Sequence, residues 1–240
     1  MYIIKLHTVD STQKYLKKYI EKHTPENSVA VVAGFQTSGI GTNNTKWFSE
    51  KDKNLLFSIF HYNTIIDAKR FFDWNKAVSL ALIYVLKDYY GQIRIKWPND
   101  IMADGRKLAG FLTGSTVKND KLHDLITGIG ININQMTFPA GAGNPVSLRI
   151  LTGKTYNLDF LADSWIPDMA NHTEKLIKSS RFLHDEYISH LFLFNEIHEF
   201  KTVSGEPFTG KITGISHDGK LQIETPKGKL REFSMKEIQF

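Results

Sequence analysis

Near residue 195 the hydrophobic period of this chain changes, and that change constrains the fold more than any other feature. Before it, helical spacing and strand alternation take turns. Asp10 stands where an N-cap belongs, with Gln13 three residues on as the return partner of a capping box. Leu16, Tyr19, Ile20 and His23 follow at helical spacing. The pattern predicts helices over 11–23, 75–90, 158–177 and 183–194. It predicts strands over 2–7, 29–34, 55–62 and 93–97, and a hairpin of 108–117 and 122–132 around Lys118-Asn119-Asp120-Lys121. Beyond residue 195 only short β-type runs remain: 197–202, 208–215, 220–224 and 229–233. His217-Asp218-Gly219 and Pro226-Lys227-Gly228 separate them as turns, which suggests a small barrel. The reading is therefore two units, 1–194 and 195–240.

Composition narrows the chemistry. The 240 residues include no cysteine, which removes disulfides, thiolate nucleophiles and Cys-based metal sites. A chain this long buries on the order of 70% of its unfolded surface and needs no such staple. Nine histidines make no metal spacing, and His184, Glu186 and His190 do not match H-E-x-x-H, so no metal ligands are expected. No apolar run approaches the roughly 18 residues of a membrane span, and residues 1–6 are too short for a signal core. The expectation is a soluble, cytoplasmic protein. The net charge of +5 lies entirely in 1–194, which holds 23 basic and 18 acidic residues; 195–240 holds seven of each. A neutral second unit is a poor electrostatic partner for nucleic acid.

Four segments could carry chemistry. Gly34 to Trp47 is a long polar loop after a strand, with Gly39 and Gly41 two residues apart. Glycines so placed let backbone N–H groups approach an anion, and Asn44 is the next best residue for positive φ. The loop is neither a P-loop nor a dinucleotide fingerprint, and read alone it is better explained as a flexible, glycine-punctuated loop. In Lys96-Trp97-Pro98-Asn99-Asp100, Pro98 ends a strand and leaves Asn99 and Asp100 at its exit. Such exits often hold site residues, but a plain Asn/Asp turn with Trp97 as core reads equally well. Arg106-Lys107-Leu108-Ala109-Gly110 carries a lysine into a buried strand, where it is either aimed or merely solvated. In Gly128-Ile129-Gly130-Ile131-Asn132-Ile133-Asn134, strand glycines imply a close neighbour, or a bulge. Asn132 and Asn134 would share one face. Phe71, Phe72 and Trp74 read as core.

In this order and spacing the segments resemble the biotin protein ligases, also called biotin–acetyl-CoA-carboxylase ligases. Asp10-Ser11-Thr12-Gln13 resembles the family's Asp-Ser-Thr-Asn, and Phe35-Gln36-Thr37 with Gly39, Gly41 and Trp47 its glycine-rich biotin loop. Lys96 to Asp100 matches its diagnostic pentapeptide in full, Lys107 to Gly110 also matches, and Gly128 to Asn132 resembles its Gly-x-Gly-x-Asn strand. The resemblance implies an α+β fold: a mixed, largely antiparallel sheet with flanking helices, like class II aminoacyl-tRNA synthetases, plus an SH3-like C-terminal barrel. It implies biotinyl-5′-AMP formation from biotin and Mg2+-ATP, then transfer to a lysine of a biotin carboxyl carrier protein. Lys107 and Asp100 would be catalytic. Ser11, Thr12, Gln36, Gly39, Ile40 and Gly110 would hold biotin, with backbone N–H groups near Gly39 and Ile40 helping. Trp47, Lys46, Lys96, Asn99 and Asn132 would hold ATP, Trp47 by stacking on adenine.

One departure stands out. Relatives carry arginines in the loop, whereas Ile40, Thr42, Asn43, Asn44 and Thr45 occupy those places here. Bidentate phosphate clamping from the loop is then impossible, and Lys46, Arg106 and Lys107 are the remaining cations. Weaker retention of the adenylate is the expected consequence. The rival readings are a lipoate or octanoate ligase and a degenerate paralogue that binds biotin without turnover. The motif begins at Asp10, so the resemblance is to a short form without a DNA-binding domain, and no DNA partner is expected. Many relatives form homodimers, and nothing in the residues settles that state.

Overall fold

The computed structural model describes residues 1–42, 45–179 and 182–240. Its elements come in two groups. The first contains β1 (Tyr2–Val9), α1 (Thr12–His23), β2 (Val29–Gln36), β3 (Leu55–Phe60), β4 (Ile66–Asp67) and α2 (Phe71–Leu86). It continues with β5 (Ile93–Lys96), β6 (Asp100–Ala103), β7 (Arg106–Lys118), β8 (Lys121–Ile131), α3 (Leu148–Thr152), α4 (Leu158–Lys178) and α5 (Leu183–Ser189). The second contains β9 (Ile197–Thr202), β10 (Pro207–Ile215), β11 (Leu221–Glu224), β12 (Leu230–Phe233) and β13 (Ile238–Gln239).

The first eight strands form one mixed sheet, with path β1-β2-β3-β8-β7-β6-β5 and β4 added to β8. Only β1 and β2 run parallel; every other pairing is antiparallel. The β7–β8 turn holds Asn119 at φ 51° and Asp120 at φ 57°. Two consecutive left-handed residues twist with the strands, and Asn and Asp tolerate that region.

Helices cover both faces. On one, Leu16 and Ile20 of α1 pack on Val29, Val31, Phe60 and Ile126. On the other, α2 lies between the sheet and helices α4 and α5. Most of its residues are buried, as a helix apolar all round requires. Alternation along β2 sorts the chain between these layers, Val29 and Val31 to the α1 side and Ala30 to the α2 side. Phe72 and Trp74 are core, with Phe71 packed against it.

Several expectations change. The N-cap of α1 is Ser11, whose hydroxyl accepts from the Lys14 N–H; Asp10 instead accepts from the Ser11 N–H. Gln13 does not close a capping box, because its amide donates to Leu112 O and Ile126 O across two strands. The helix expected to Phe194 ends at Ser189, since Leu191 bridges to Ile95 and extends the sheet edge. Strand β6 and helix α3 carry too few residues to show a period and were not foreseen. The second unit is antiparallel with order β12-β11-β10-β9-β13, and its end strands do not pair, so no closed ring forms. Its Phe200, Ile212, Leu221 and Ile223 join the same core as the large sheet.

Candidate active site

The site lies on the α1 face of the sheet, beyond the helix's N-terminus. Two adjoining cavities open there, of about 50 and 540 Å³.

The smaller one is built from the polar start of α1. The Thr12 N–H and hydroxyl both reach Gln36 Oε1, at 2.8 and 3.1 Å. That fixes the carboxamide oxygen and leaves its NH2 group for the cavity. Behind them Thr12 Oγ1 lies 2.8 Å from Ser58 Oγ, fully buried. Ser58 was missed, although it is the single polar residue in Leu-Leu-Phe-Ser-Ile-Phe, a strand that is otherwise apolar. Ser11 and Thr12 line this cavity with Gln36, Ile40 and Gly41. Gly39 lies under the loop: its carbonyl accepts from the Trp47 N–H, and a Cβ there would stand 3.3 Å from Gln36 Nε2. The loop closes on itself through an Ile40–Lys46 bridge, and the Gly41 N–H donates to Thr45 O, so that amide is already engaged. Asn43 and Asn44, the latter read as a positive-φ candidate, lie outside the described residues.

Strand glycines make the floor. A Cβ on Gly130 would come within 2.5 Å of the Trp47 indole, and one on Gly128 within 3.3 Å of Ser58 Oγ. The close neighbour expected of such glycines is thus Ser58 at Gly128 and Trp47 at Gly130, where the indole ring lies on the bare backbone and lines both cavities. Its indole nitrogen is buried without a partner among the described residues.

At the junction, Lys107 Nζ lies 2.7 Å from Asp100 Oδ1, with both side chains about a quarter exposed. The first residue of β6 supplies Asp100 and the start of β7 supplies Lys107. Gly110 leaves room for them: a Cβ there would sit 3.0 Å from Asp100 Oδ1 and 3.2 Å from Lys107 Cε. The Lys107 backbone is held by Asn144 O and the Val146 N–H. Both charges line both cavities.

The larger cavity is lined by Lys46, Lys96, Lys107 and Asn132 beside Asp100, with His198 and Phe240 from the second unit. Lys96 Nζ lies 4.7 Å above the Phe240 ring. Burial pulls its ammonium below the usual lysine range; Asp100 opposes that shift and Lys107 adds to it. Asn132 Oδ1 is buried without a partner among the described residues, while its amide donates to Lys107 O. Asn99 faces the smaller cavity instead, and its amide is engaged by Phe111 O. Asn132 and Asn134 lie past the end of β8 and do not share a face. Asn134 brackets the Tyr156 backbone, accepting from its N–H and donating to its carbonyl. Arg106 lines neither cavity. His198 and Phe240 had no signal in the sequence, because only tertiary packing brings residues from beyond 195 to this place.

Residues 6–132 match the Biotin/lipoate A/B protein ligase family, and residues 199–240 match the Biotin protein ligase C terminal domain. The chain belongs to the biotin/lipoate A/B protein ligase family. Among this ligase-family chain's relatives, the bifunctional ligase/repressor BirA of Bacillus spizizenii is 27% identical over 97% of this chain and 72% of that protein. The structure of biotin protein ligase from Aquifex aeolicus in complex with biotin and ATP superposes with a TM-score of 0.77 at 26% identity, covering 99% and 97% of the two chains. The Leishmania major biotin protein ligase, at 20% identity and TM-score 0.64 over 97% of this chain and 98% of that one, shares the fold. Among the described residues, no helix of this ligase-family chain is long and apolar enough to cross a membrane.

Proposed function

We propose that this chain is an ATP-dependent biotin protein ligase. It forms biotinyl-5′-AMP and passes the biotinyl group to a lysine on a biotin carboxyl carrier protein, acetyl-CoA carboxylase's carrier among the candidates. The observation that carries the proposal is the Lys107–Asp100 pair at the junction of a neutral polar cavity and a lysine-lined one.

The neutral cavity suits a ureido ring, which both donates and accepts hydrogen bonds. Gln36 offers its NH2 group, and the Thr12 and Ser58 hydroxyls stand behind it. Ser11 and Ile40 complete that lining. Gly39 acts indirectly, by leaving space for Gln36. Gly110 acts in the same way on the charged pair. The lysine-lined cavity suits polyphosphate. Lys46, Lys96 and Lys107 approach it from three different segments, in place of the absent loop arginines. Trp47 offers an indole face to adenine, and Asn132 Oδ1 offers an unused acceptor to its amino group. Asn99, with its amide engaged, holds the turn that carries Asp100.

The chemistry follows from charge. The biotin carboxylate attacks the α-phosphorus, and pyrophosphate leaves. Lys107 offsets the repulsion between the two anions and the charge that grows as they meet. The carrier lysine then attacks the acyl carbon and AMP leaves; Asp100 orients that amine and receives its proton. Magnesium would travel with the ATP phosphates and offset part of their charge.

A lipoate ligase would place a bare acyl chain against the Gln36 NH2 group and leave that donor unpaired, since Thr12 and Ser58 already satisfy one another and the Gln36 oxygen. The deciding experiment is biotin-dependent ATP–pyrophosphate exchange run beside lipoate, followed by transfer of labelled biotin to a carrier domain. Exchange with biotin but not lipoate, and a labelled carrier, are expected. Biotin binding without exchange would assign the chain to a degenerate, binding-only paralogue.

A further inference from the structure

We propose that Trp97 and Gly219 form a lock that sets the position of the ATP-side residues Lys96 and Asp100. This deepens the adenylation reading and rests on it. The Trp97 indole N–H donates to Gly219 O at 2.9 Å, in a buried contact between the two units. Trp97 is 3% exposed, and it is the first residue of the segment, 97–99, that joins β5 to β6. Side chains alternate along this strand. Ile95 and Trp97 point into the core, and Lys96 between them points to the larger cavity. A shift of Trp97 therefore moves Lys96 directly. It also moves Asp100, which pairs in register with Lys96.

The partner of Trp97 is itself rigid. Gly219 closes a turn in which its N–H donates to Ser216 O and the Ser216 N–H to Lys220 O, at 3.0 and 2.9 Å. The Lys220 N–H also reaches Ser216 Oγ. Gly219 has φ +89° and lies on the Phe72 side chain so closely that a Cβ would stand 2.7 Å from Phe72 Cβ and nearer still to its ring. Both facts demand glycine. The turn is a wedge between Trp97 of the pentapeptide segment and Phe72 of α2. From the cavity side, Phe240 carries Lys96 Nζ over its ring. The second unit thus grips the β5–β6 turn from behind and in front. Trp97, for which an ordinary core role read equally well in the sequence, is a positioning residue.

The test uses the full chain with Trp97→Phe, which keeps a ring but loses the N–H, and Gly219→Ala, which blocks the wedge. Phe233→Leu, in the core of the second sheet and away from both cavities, is the stability control. ATP and biotin affinities are titrated separately by calorimetry, with pyrophosphate exchange and Tm alongside. A buried hydrogen bond lost with its acceptor left unpaired predicts an ATP Kd weaker by about tenfold in Trp97→Phe, with biotin affinity within about twofold. Phe233→Leu should lower Tm without that split. The lock is overturned if both variants bind ATP as wild type does. It is equally overturned if Phe233→Leu weakens ATP as much for the same loss of Tm. Wild-type protein that binds ATP but exchanges no pyrophosphate overturns the ligase reading alone, and the titrations still judge the lock. Wild-type protein that binds no ATP overturns both.

Discussion

Replacing Lys107 separates the two half-reactions. Among the described residues, its ammonium is the one cation that lines both cavities, 2.7 Å from Asp100 Oδ1. At an effective dielectric of about 20, two unit charges at that distance attract by roughly 6 kcal/mol before desolvation is subtracted. The same ammonium facing the α-phosphate at hydrogen-bond distance acts on a similar scale, and only the part that grows toward the transition state speeds the reaction. Preorganised donors of this kind contribute about 3–4 kcal/mol when removed singly, or about 10²–10³ in rate. Lys107→Ala should therefore cut biotin-dependent pyrophosphate exchange by about two to three orders of magnitude. Biotin affinity should change little, because Thr12, Gln36 and Ser58 are untouched. Asp100→Asn frees Lys107 from its partner and should leave exchange within about tenfold, since adenylation needs the cation and not the carboxylate. It should slow transfer from purified biotinyl-5′-AMP to carrier much more. Radiolabelled pyrophosphate exchange reads the first step, and carrier labelling from added adenylate reads the second. Exchange by Lys107→Ala at the wild-type rate would refute the electrostatic role. Equal damage to both steps by Asp100→Asn would refute the division of labour.

Three further outcomes follow from other parts of the site. Ser58→Ala removes the buried partner of Thr12 and should weaken biotin binding by about fivefold at constant ATP affinity, measured by calorimetry. Lys96, with its pKa held below the ordinary value by burial, loses its charge at lower pH than an exposed lysine; ATP affinity should fall early as pH rises through the alkaline range. Lys96→Arg should flatten that profile, and an unchanged profile would remove Lys96 from the phosphate seat. With no arginine at residues 40–45, biotinyl-5′-AMP should leave faster than from an arginine-bearing relative, as read by filter retention of the labelled intermediate. Release as slow as the relative's would show that the lysines suffice.

Much of this was legible residue by residue. The β7–β8 hairpin showed itself because Asn119-Asp120 is chemistry that a left-handed two-residue turn requires. Strand β2 showed itself because six of its eight residues are apolar, with Val29 and Val31 buried on one face and Ala30 on the other. Lys107 and Asp100 could be named but not joined, since their contact depends on a pairing between β6 and β7 that no local period encodes. Ser58 was hidden for the opposite reason: one hydroxyl in an apolar strand looks like noise until Thr12 is placed against it. Asp10 misled because Asp and Ser are near-equal caps, and tertiary contacts chose Ser11. The second unit's part in the larger cavity was the least visible. Neither His198 nor Phe240 bears a motif, and the neutral charge of 195–240 pointed away from an anionic ligand.

The glycines explain why a site with so few unusual residues is so specific in shape. Gly110 makes room for an ion pair, Gly128 for a hydroxyl, Gly130 for an indole and Gly219 for a ring of the neighbouring helix. Each marks a place where two elements approach more closely than an unstrained Cβ permits. Gly110, Gly128 and Gly130 lie on β7 and β8, which pair directly, with Gly110 opposite Gly130 and Leu112 opposite Gly128. The bare stripe they create is what lets the loop lay Trp47 against the sheet beside the Lys107–Asp100 pair. A methyl group at any of these positions would leave every polar side chain in place. It would still separate the surfaces that bring those side chains together, by tenths of an ångström at Gly110 and Gly128 and by about 1 Å at Gly130. For chemistry that depends on position more than on any single group, those displacements matter as much as the loss of a charge.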